Sequence, residues 1–457
     1  MVEKNLELGL HWDKEFIKQL TKLSAPILLQ NLFSVLGNSV MTFMTGLLGD
    51  LPVAAAGLNN QLYFILMLVQ FGVSSGCSLL TAQFWGNKDR ESVLKTLGVS
   101  LLLGVGVGSI FLLIALFFPT GFLSIFTQDE EVIAMASELL RITGFSFLFT
   151  PVTYTYTFIL RSTQQVRLPT VASIAGVALN IFLGYALVFG GVGLPKLGVK
   201  GAAIALLAGR IAECAVLVFL VYWKKTTLSA PLKQIFAFDR AFLRKVLQQA
   251  LPVTSNELIW GLGITAYNAI FARLGVEAYA AVAIRVTIED ITFVPFNALT
   301  NACAVLVGNA IGKGHSEKAH EYVRQTVVIN LMMAMIIGAA LLFGRENITS
   351  FFNLSETARM LTLNLLAVFA AVMWLRTSNF VFFIGMMRSG GDTRFAWLMD
   401  VLSLWGVGVP LALLGAFVIK LPVYGVYLLV MVEEAIKFGL SIWRYRSKKW
   451  IHNLALS

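Results

Sequence analysis

Three of the acidic residues in the long apolar stretches of this sequence are candidates for chemistry. Glu257 lies within "LPVTSNELIWGLGITAYNAIF" (251–271), and Glu289 and Asp290 lie within another apolar run. An ionisable side chain inside a membrane costs about 2.5–3.5 kcal/mol on insertion scales, so it is a functional hypothesis by default. A carboxyl group carries a proton, and carboxylate oxygens bind hard cations such as Na⁺. We predict that Glu257, Glu289 and Asp290 couple the protein to H⁺ or Na⁺, with Glu257 and Asp290 as the ligands for Na⁺ and no other metal site.

Helical spacing separates the acids of the apolar runs into two groups. Residues three or four positions apart share one helix face. Four combinations of opposite charge have this spacing: Glu138 with Arg141, Arg210 with Glu213, Glu433 with Lys437, and Arg285 with Glu289. We interpret the first three as structural pairs. Asp290 lies about 100° further round its helix than Glu289, and Glu257 has no basic residue within one turn. We therefore expect Glu257 and Asp290 to be unpaired.

The composition shows which elements must position these residues. Of 457 residues, 57% are hydrophobic and 13% are charged, and the mean hydropathy is +0.78, values typical of an integral membrane protein. A spanning helix needs roughly 20 apolar residues. The apolar runs predict twelve spans, at 24–48, 52–84, 93–118, 132–160, 168–190, 197–223, 249–273, 278–311, 321–343, 357–387, 395–418 and 421–446. The segment "WDKEFIKQLTKL" (12–23) predicts an amphipathic helix on the membrane surface.

The basic residues indicate the orientation of the chain. Of its 35 lysines and arginines, 24 fall on the side of the membrane that carries the N-terminus and 6 on the other side. We call the richer side the basic face. The positive-inside rule places it in the cytoplasm, with both termini, and we expect a multi-pass protein of the plasma membrane. The net charge of +10 is thus explained by topology, and no nucleic-acid partner is expected.

An internal repeat organises the chain. Shifted by 226 residues, "WDKEFIKQLTKLSAP" (12–26) aligns with "FDRAFLRKVLQQALP" (238–252), and after one inserted residue Arg161-Ser162 aligns with Arg388-Ser389. Each unit holds six spans, so both enter the membrane in the same direction. Such parallel repeats place substrate and ion sites near their interface. We predict an all-α fold of two six-helix lobes, at 1–223 and 238–457, joined by a cytoplasmic linker at 224–237.

Several motifs resemble those of one transporter family. They are "GLLGDLPVAAAGL" (46–58), "SLLTAQFWGNKD" (78–89), "PKLGVKGAA" (195–203), "VLVGNAIGKG" (305–314) and "GMMRSGGDTRFA" (385–396). Together they are similar to the multidrug and toxic compound extrusion (MATE) family over nearly the whole chain. The resemblance implies a twelve-helix antiporter that exports amphiphilic, often cationic compounds by alternating access. It implies H⁺ or Na⁺ as the coupling ion, and we predict neither an enzyme activity nor a cofactor.

Two positions depart from the family pattern. Many relatives carry an aspartate in the first span and another in the fifth, where this sequence has Met41 and Gly184. The repeat twin of Glu257 is the neutral Asn31. We therefore expect the acids of the C-terminal lobe to handle the cation, while both lobes contact the substrate.

Polar and aromatic residues of the spans are candidates for substrate contacts. Aromatic faces attract organic cations, and polar side chains fix their orientation. The predicted substrate-binding residues are Asn31, Asn59, Asn60, Gln61, Tyr63, Tyr154, Asn180, Asn256, Trp260 and Tyr267. We interpret a second set as structural or hinge residues, namely Pro26, Pro252, Arg388, Gly390 and Gly391.

Two other functions fit parts of the same pattern. A flippase for a lipid-linked precursor would require a cationic central cavity, to which Arg210, Arg285 and Arg376 could contribute. A membrane receptor or scaffold that transports nothing would need no coupling acids. The expected partners are small amphiphilic molecules and the lipid bilayer, and we expect a monomer.

Overall fold

The computed structural model describes residues 13–191 and 193–456, and long helices make up most of this part of the chain. We number the twelve long helices in chain order: α1 (Lys14–Gly46), α2 (Asp50–Gly86), α3 (Arg90–Phe117), α4 (Glu130–Thr143 and Ser146–Ser162), α5 (Arg167–Phe189), α6 (Val199–Trp223), α7 (Arg240–Ala272), α8 (Val276–Gly312), α9 (Ser316–Ser350), α10 (Glu356–Arg388), α11 (Thr393–Val418) and α12 (Val423–Ser447).

The helices agree with the predicted spans. Nine of those described are long and apolar enough to cross a membrane, and α4 is a tenth if its two halves, bent by 51°, form one span. The other two, α7 and α12, have 33 and 25 residues and contain several of the charged residues discussed above. Short helices at Pro119–Leu123 and Leu232–Ile235 lie in connections. The predicted all-α fold is confirmed.

The predicted amphipathic surface helix is instead the beginning of α1. Residues 1–12 lie outside the described part, and from Lys14 onward the helix runs without a break past Pro26. Its apolar stripe, at helical spacing, is buried against residues of α8, α9 and α10 in the C-terminal lobe. The stripe consists of Phe16, Leu20, Leu23 and Ile27. The prediction of a membrane-surface helix is therefore wrong, because the other lobe covers the apolar face.

The two lobes meet where α2 and α8 approach the basic face. A Cβ at Gly86 would lie 2.2 Å from the carbonyl oxygen of Asn309, and a Cβ at Gly312 would lie 2.0 Å from the carbonyl oxygen of Gln83. Gly86 and Gly312 are repeat twins, and so are Gln83 and Asn309. Glycine is therefore needed at both positions for the backbones to touch. We call this contact the closed end.

The segment after α12 covers the closed end. The side chain of Gln83, in the N-terminal lobe, donates to the carbonyl oxygens of Ser389 and His452, both at 3.1 Å. It also accepts from the backbone N–H of Leu454 at 2.7 Å. Trp450 is fully buried, and a Cβ at Gly390 would lie 2.4 Å from its ring. The C-terminal segment thus belongs to the C-terminal lobe but bonds to both.

The glycine contact at the closed end gives a first prediction. Gly312→Ala places a methyl group against backbone that has no room to move, and overpacking of this kind costs about 1–3 kcal/mol. We expect the apparent Tm of the purified protein in detergent to fall by several degrees. Gly106→Ala on α3 is the matched control, since nothing lies within 4 Å of its added Cβ, and alanine favours a helix. Equal Tm values for the two variants would contradict the close contact.

Candidate functional site

Two adjoining cavities lie between the lobes. The first, which we call the N-lobe cavity, has a volume of about 540 Å³ and is lined mainly by α1, α2, α4, α6 and α8. The second, the C-lobe cavity, has a volume of about 430 Å³ and is lined mainly by α7, α8, α10 and α12. Four residues line both: Phe71, Asp290, Phe293 and Asn297. On α2 and α8 the lining residues precede the closed end, so the cavities lie on the side of the closed end away from the basic face.

Glu257 forms an ion pair across the C-lobe cavity. The Arg388 guanidinium, at the end of α10, donates to a carboxylate oxygen of Glu257 on α7 at 2.5 Å. The expectation that Glu257 is unpaired is therefore wrong, and Arg388 is more than a hinge residue. The physical reason is that a carboxylate buried without a counter-charge is strongly destabilising. The partner is 131 residues away in sequence, so helical spacing could not reveal it.

Glu289 is held by two arginines. Arg285 pairs with it at the predicted spacing on α8, which confirms that pair, and Arg376 on α10 binds its other carboxylate oxygen. Arg376 also lies 3.9 Å from a carboxylate oxygen of Glu434 on α12, which accepts a hydrogen bond from Asn379 at 2.7 Å. Through Arg376, Glu289 thus joins α8 to α10.

Asp290 is an exposed acid in the wall that the two cavities share. It is adjacent to Glu289 but lines both cavities, and among the described residues it forms no ion pair. This agrees with the expectation that it faces away from Arg285. Its carboxylate is therefore available to a cation from either cavity.

A second charged network lies on the far wall of the C-lobe cavity. Lys437 on α12 donates to Glu433 at 2.5 Å, as its spacing predicts, and to Asp400 on α11 at 2.7 Å. Asn256, next to Glu257 on α7, donates to Asp400 at 3.0 Å. Asp400 was not singled out by sequence reasoning, because its cation lies 37 residues further along the chain. Through the neighbouring residues Asn256 and Glu257, α7 thus contacts both Asp400 on α11 and Arg388 on α10.

The N-lobe cavity has fewer charges. Arg210 donates to Glu213 at 3.0 Å, which confirms the predicted pair, and to the Tyr63 hydroxyl at 2.8 Å. Arg161, at the end of α4, donates to the side-chain oxygen of Gln30 at 2.7 Å and pairs with no carboxylate in the described part of the chain. Arg161 lines the cavity and was not proposed as a site residue. Only its repeat partner, Arg388, had been singled out.

Five of the ten predicted substrate-binding residues line the cavities. They are Asn31, Tyr63 and Tyr154 in the N-lobe cavity, and Asn256 and Trp260 in the C-lobe cavity. The amide of Asn31 also donates to Asn297 of the opposite lobe at 3.4 Å. For these residues the substrate role stays a prediction, and the structure shows that they face a common space.

The other five do not line either cavity. Asn59 is buried and accepts from Thr143 at 2.9 Å, while Asn60 and Gln61 are exposed. A helix turns by 100° per residue, so successive polar residues cannot all face one cavity. The remaining two have structural contacts: Asn180 packs against Gly209, and the Tyr267 hydroxyl donates to Glu433. We correct the predicted binding set by leaving these five out.

The remaining predicted hinge residues lie at element ends or inside long helices. Pro26 and Pro252 are internal to α1 and α7. Gly390 accommodates the Trp450 ring, and Gly391 has φ +83°, in the left-handed region that favours glycine. These positions shape the turn between α10 and α11.

The predicted ion pair between Glu138 and Arg141 on α4 does not form. Glu138 binds Lys200 of α6 at 2.5 Å and forms no ion pair with Arg141. Both partners are about half exposed, and the pair lies outside the two cavities. The Glu138 side chain is thus part of the contact between α4 and α6.

Comparison with known proteins now gives the family. The sequence profile described as MatE matches residues 26–186 and again residues 254–414, which together exceed half of the chain. The chain belongs to the MATE family. Its members are transporters, so this protein is a multi-pass membrane protein of the multidrug efflux class.

Individual relatives resemble this MATE protein over almost its whole length. The transporter YisQ of Bacillus subtilis is 23% identical and covers 96% of this chain and 96% of its own. A probable multidrug resistance protein NorM of Thermotoga maritima is 23% identical, with 95% and 93% covered. The solved structure of the Vibrio cholerae MATE transporter VcmN has a TM-score of 0.88 at 18% identity, with 97% and 99% covered. At this low identity, the similarity to VcmN shows a common fold.

The two family positions that lack an acid here lie against one another. A Cβ at Gly184 on α5 would lie 2.7 Å from the sulfur of Met41 on α1 and 3.7 Å from that of Met44. The space between α1 and α5 is therefore filled by methionine side chains. In this MATE protein that part of the N-terminal lobe offers an apolar surface in place of carboxylates.

The Glu257–Arg388 pair gives a second prediction. Arg388→Gln leaves a buried carboxylate without its counter-charge, which costs about 3–5 kcal/mol. We expect a large fall in the apparent Tm, with much of it recovered in the double variant Glu257→Gln/Arg388→Gln. Arg324→Gln is the matched control, because Arg324 and Glu321 form an ion pair in which both side chains are more than 40% exposed. A double variant less stable than Arg388→Gln would contradict the pairing.

Proposed function

We propose that this MATE protein is a cation-coupled antiporter that exports amphiphilic, cationic compounds. The observation that carries the proposal is the charge of the C-lobe cavity. Five acids line it, Glu257, Glu289, Asp290, Asp400 and Glu434, against three bases, Arg376, Arg388 and Lys437. Three of the acids, Glu257, Glu289 and Glu434, share the two arginines Arg376 and Arg388, and Asp290 is left exposed. A cavity with a negative excess and apolar walls attracts cations.

The aromatic residues favour an amphiphilic substrate. Phe71 and Phe293 form part of the wall that the two cavities share, and Trp260 and Tyr154 lie on either side of it. Aromatic faces bind organic cations while they bury apolar surface. The exposed carboxylate of Asp290 stands in the same wall. A cation with an attached ring system would meet both.

Glu257 is the acid best suited to coupling. Its ion pair with Arg388 joins α7 to α10, and protonation of Glu257 or capture of Na⁺ would release the guanidinium. The two states differ in a charged contact between two helices, which is what a coupling ion needs to bias. Asp290 lines the same cavity and supplies the second carboxylate of the proposed site.

The position of the closed end indicates the direction of the proposed transport cycle. The lobes meet near the basic face, which we place in the cytoplasm, and the cavities lie beyond this contact, toward the outside. A cation entering from outside would bind at Glu257 and Asp290 and displace the substrate outward. The lobes would then rock about the central cavities, open at the basic face and release the ion inside. The proposed location is the plasma membrane, and each monomer would transport independently.

The arginines do not favour the flippase function. Arg210 and Arg376 line the cavities, but each is paired with a carboxylate, and Arg285 lines neither cavity. Anionic lipid precursors would meet a C-terminal wall with two more acids than bases. A scaffold that transports nothing would not need a network of charged residues around a central cavity.

Efflux measurements give a third prediction. In proteoliposomes that contain a fluorescent organic cation, Glu257→Gln should reduce transport driven by an imposed gradient to near the level of empty vesicles. Separate pH and Na⁺ gradients applied to the unsubstituted protein should show which ion drives the exchange. Glu138→Gln is the control, because Glu138 is an acid of a predicted span that forms an ion pair outside the two cavities. Full coupled efflux by Glu257→Gln would exclude its role, and exchange driven by neither gradient would exclude the antiport.

Asp290 gives a fourth prediction. Asp290→Asn removes the exposed charge of the cavity wall with little change in shape. We expect the Kd of a cationic substrate to rise by about tenfold, which corresponds to about 1.4 kcal/mol, while the Kd of a neutral isostere changes little. Binding is measured by fluorescence titration of the purified protein. An equal change for both ligands would indicate a general loss of the cavity instead of a lost charge.

A further inference from the structure

A third and smaller cavity lies at the closed end, between residues related by the repeat. Its volume is about 30 Å³, and it is lined by Arg161 and Ser162 from α4 and by their twins Arg388 and Ser389. Ser75 on α2 and its twin Asn301 on α8 also line it. The cavity thus lies where the two lobes meet around the axis that relates them. We call it the axial cavity.

The two arginines bring an unbalanced positive charge to the axial cavity. Arg388 is paired with Glu257, whereas Arg161 donates to the neutral Gln30, lies 5.6 Å from the centroid of the Phe158 ring and forms no ion pair within residues 13–191 and 193–456. Two guanidinium groups and one carboxylate leave a formal charge of +1. Because both arginines are more than nine-tenths buried, at 8% and 4% exposed, solvent screens this charge weakly.

Each arginine also has an N–H group that lacks an acceptor. Within the described residues, Nε of Arg161 and Nη1 of Arg388 are buried and make no hydrogen bond. A buried donor left unpaired costs about 1–3 kcal/mol, and more when it is charged. Ser162 and Ser389 donate their hydroxyl protons to carbonyl oxygens, and among the described residues neither hydroxyl oxygen accepts from these two N–H groups. An acceptor that enters the axial cavity from solution would satisfy these donors.

We infer that the axial cavity binds one small monovalent anion, such as chloride, between Arg161 and Arg388. One negative charge balances the +1, and one acceptor of this size can meet donors from both sides. A space of about 30 Å³ exceeds the roughly 10–15 Å³ that a water needs, yet it is small for an organic anion. The carboxylate group of a larger molecule in the N-lobe cavity is the alternative anion, since Arg161 lines that cavity too.

The site spans the two lobes and so depends on the closed end. Arg161 belongs to one lobe and Arg388 to the other, so separation of the lobes at the basic face divides the site. By linkage, an anion that binds only the closed form stabilises that form.

The test is equilibrium binding of chloride to the purified full-length protein, with no gradient and no transport. Radiolabelled chloride should bind at one saturable site, bromide should compete, and crystals grown in bromide should show anomalous density between Arg161 and Arg388. Arg161→Gln should raise the chloride Kd at least tenfold, Arg161→Lys should retain part of the binding, and the exposed control Arg324→Gln should change nothing. Since transport is not measured, failure of the antiport would leave this result intact.

Two sets of outcomes overturn the inference. Lack of saturable chloride binding to the unsubstituted protein, or chloride binding that Arg161→Gln leaves unchanged, removes the site. Benzoate, a carboxylate attached to a ring, should not compete with chloride. Benzoate binding that requires Arg161, without chloride binding, would assign the arginine to an organic anion in the N-lobe cavity. Bromide density in crystals of the unsubstituted protein keeps the test decisive if the Arg161 variants do not fold.

Discussion

The cost of burying charge governs this structure. Around the C-lobe cavity, acids and bases from α7, α8, α10, α11 and α12 are joined so that nearly every buried charge meets its opposite. The clearest case is Glu257, whose 2.5 Å contact with Arg388 ties the first helix of the C-terminal lobe to α10. Removing one partner of such a pair is much more destabilising than removing both. A transporter that works by changing the charge of one group can use this difference to change its helix contacts.

The two lobes share one architecture but differ in the charged residues that face the cavities. In the N-terminal lobe, where the family resemblance predicts two acids, this chain has Met41 against Gly184, and the twin of Glu257 is Asn31. The lobes nonetheless keep the reciprocal glycine contacts that join α2 and α8. Geometry common to both halves has been retained at the closed end, while the charged chemistry has been concentrated on one wall of the central space.

Local features of the site could be predicted from sequence, and contacts between distant segments could not. The pairs Arg285–Glu289, Arg210–Glu213 and Glu433–Lys437 follow from one turn of helix, and the structure confirms them. Arg388 for Glu257, Arg376 for Glu289 and Asp400 for Lys437 join different helices, so they depend on how the bundle is assembled. A polar run such as 59–61 was overinterpreted, because the rotation of a helix directs neighbours to different surroundings. Most of the spans needed only apolar length, which explains why the fold was the more predictable part.

The reciprocal contacts of the closed end have a consequence for the origin of the chain. Gly86 touches the backbone at Asn309, and Gly312 touches the backbone at Gln83, which is the pattern of an isologous interface between two identical subunits. A single six-helix unit with this glycine and this partner residue could have joined a second copy face to face, as a homodimer in one membrane orientation. Gene fusion would then have freed each half to diverge. The twin arginines of the axial cavity, Arg161 and Arg388, still show that symmetry, and Glu257 opposite Asn31 departs from it.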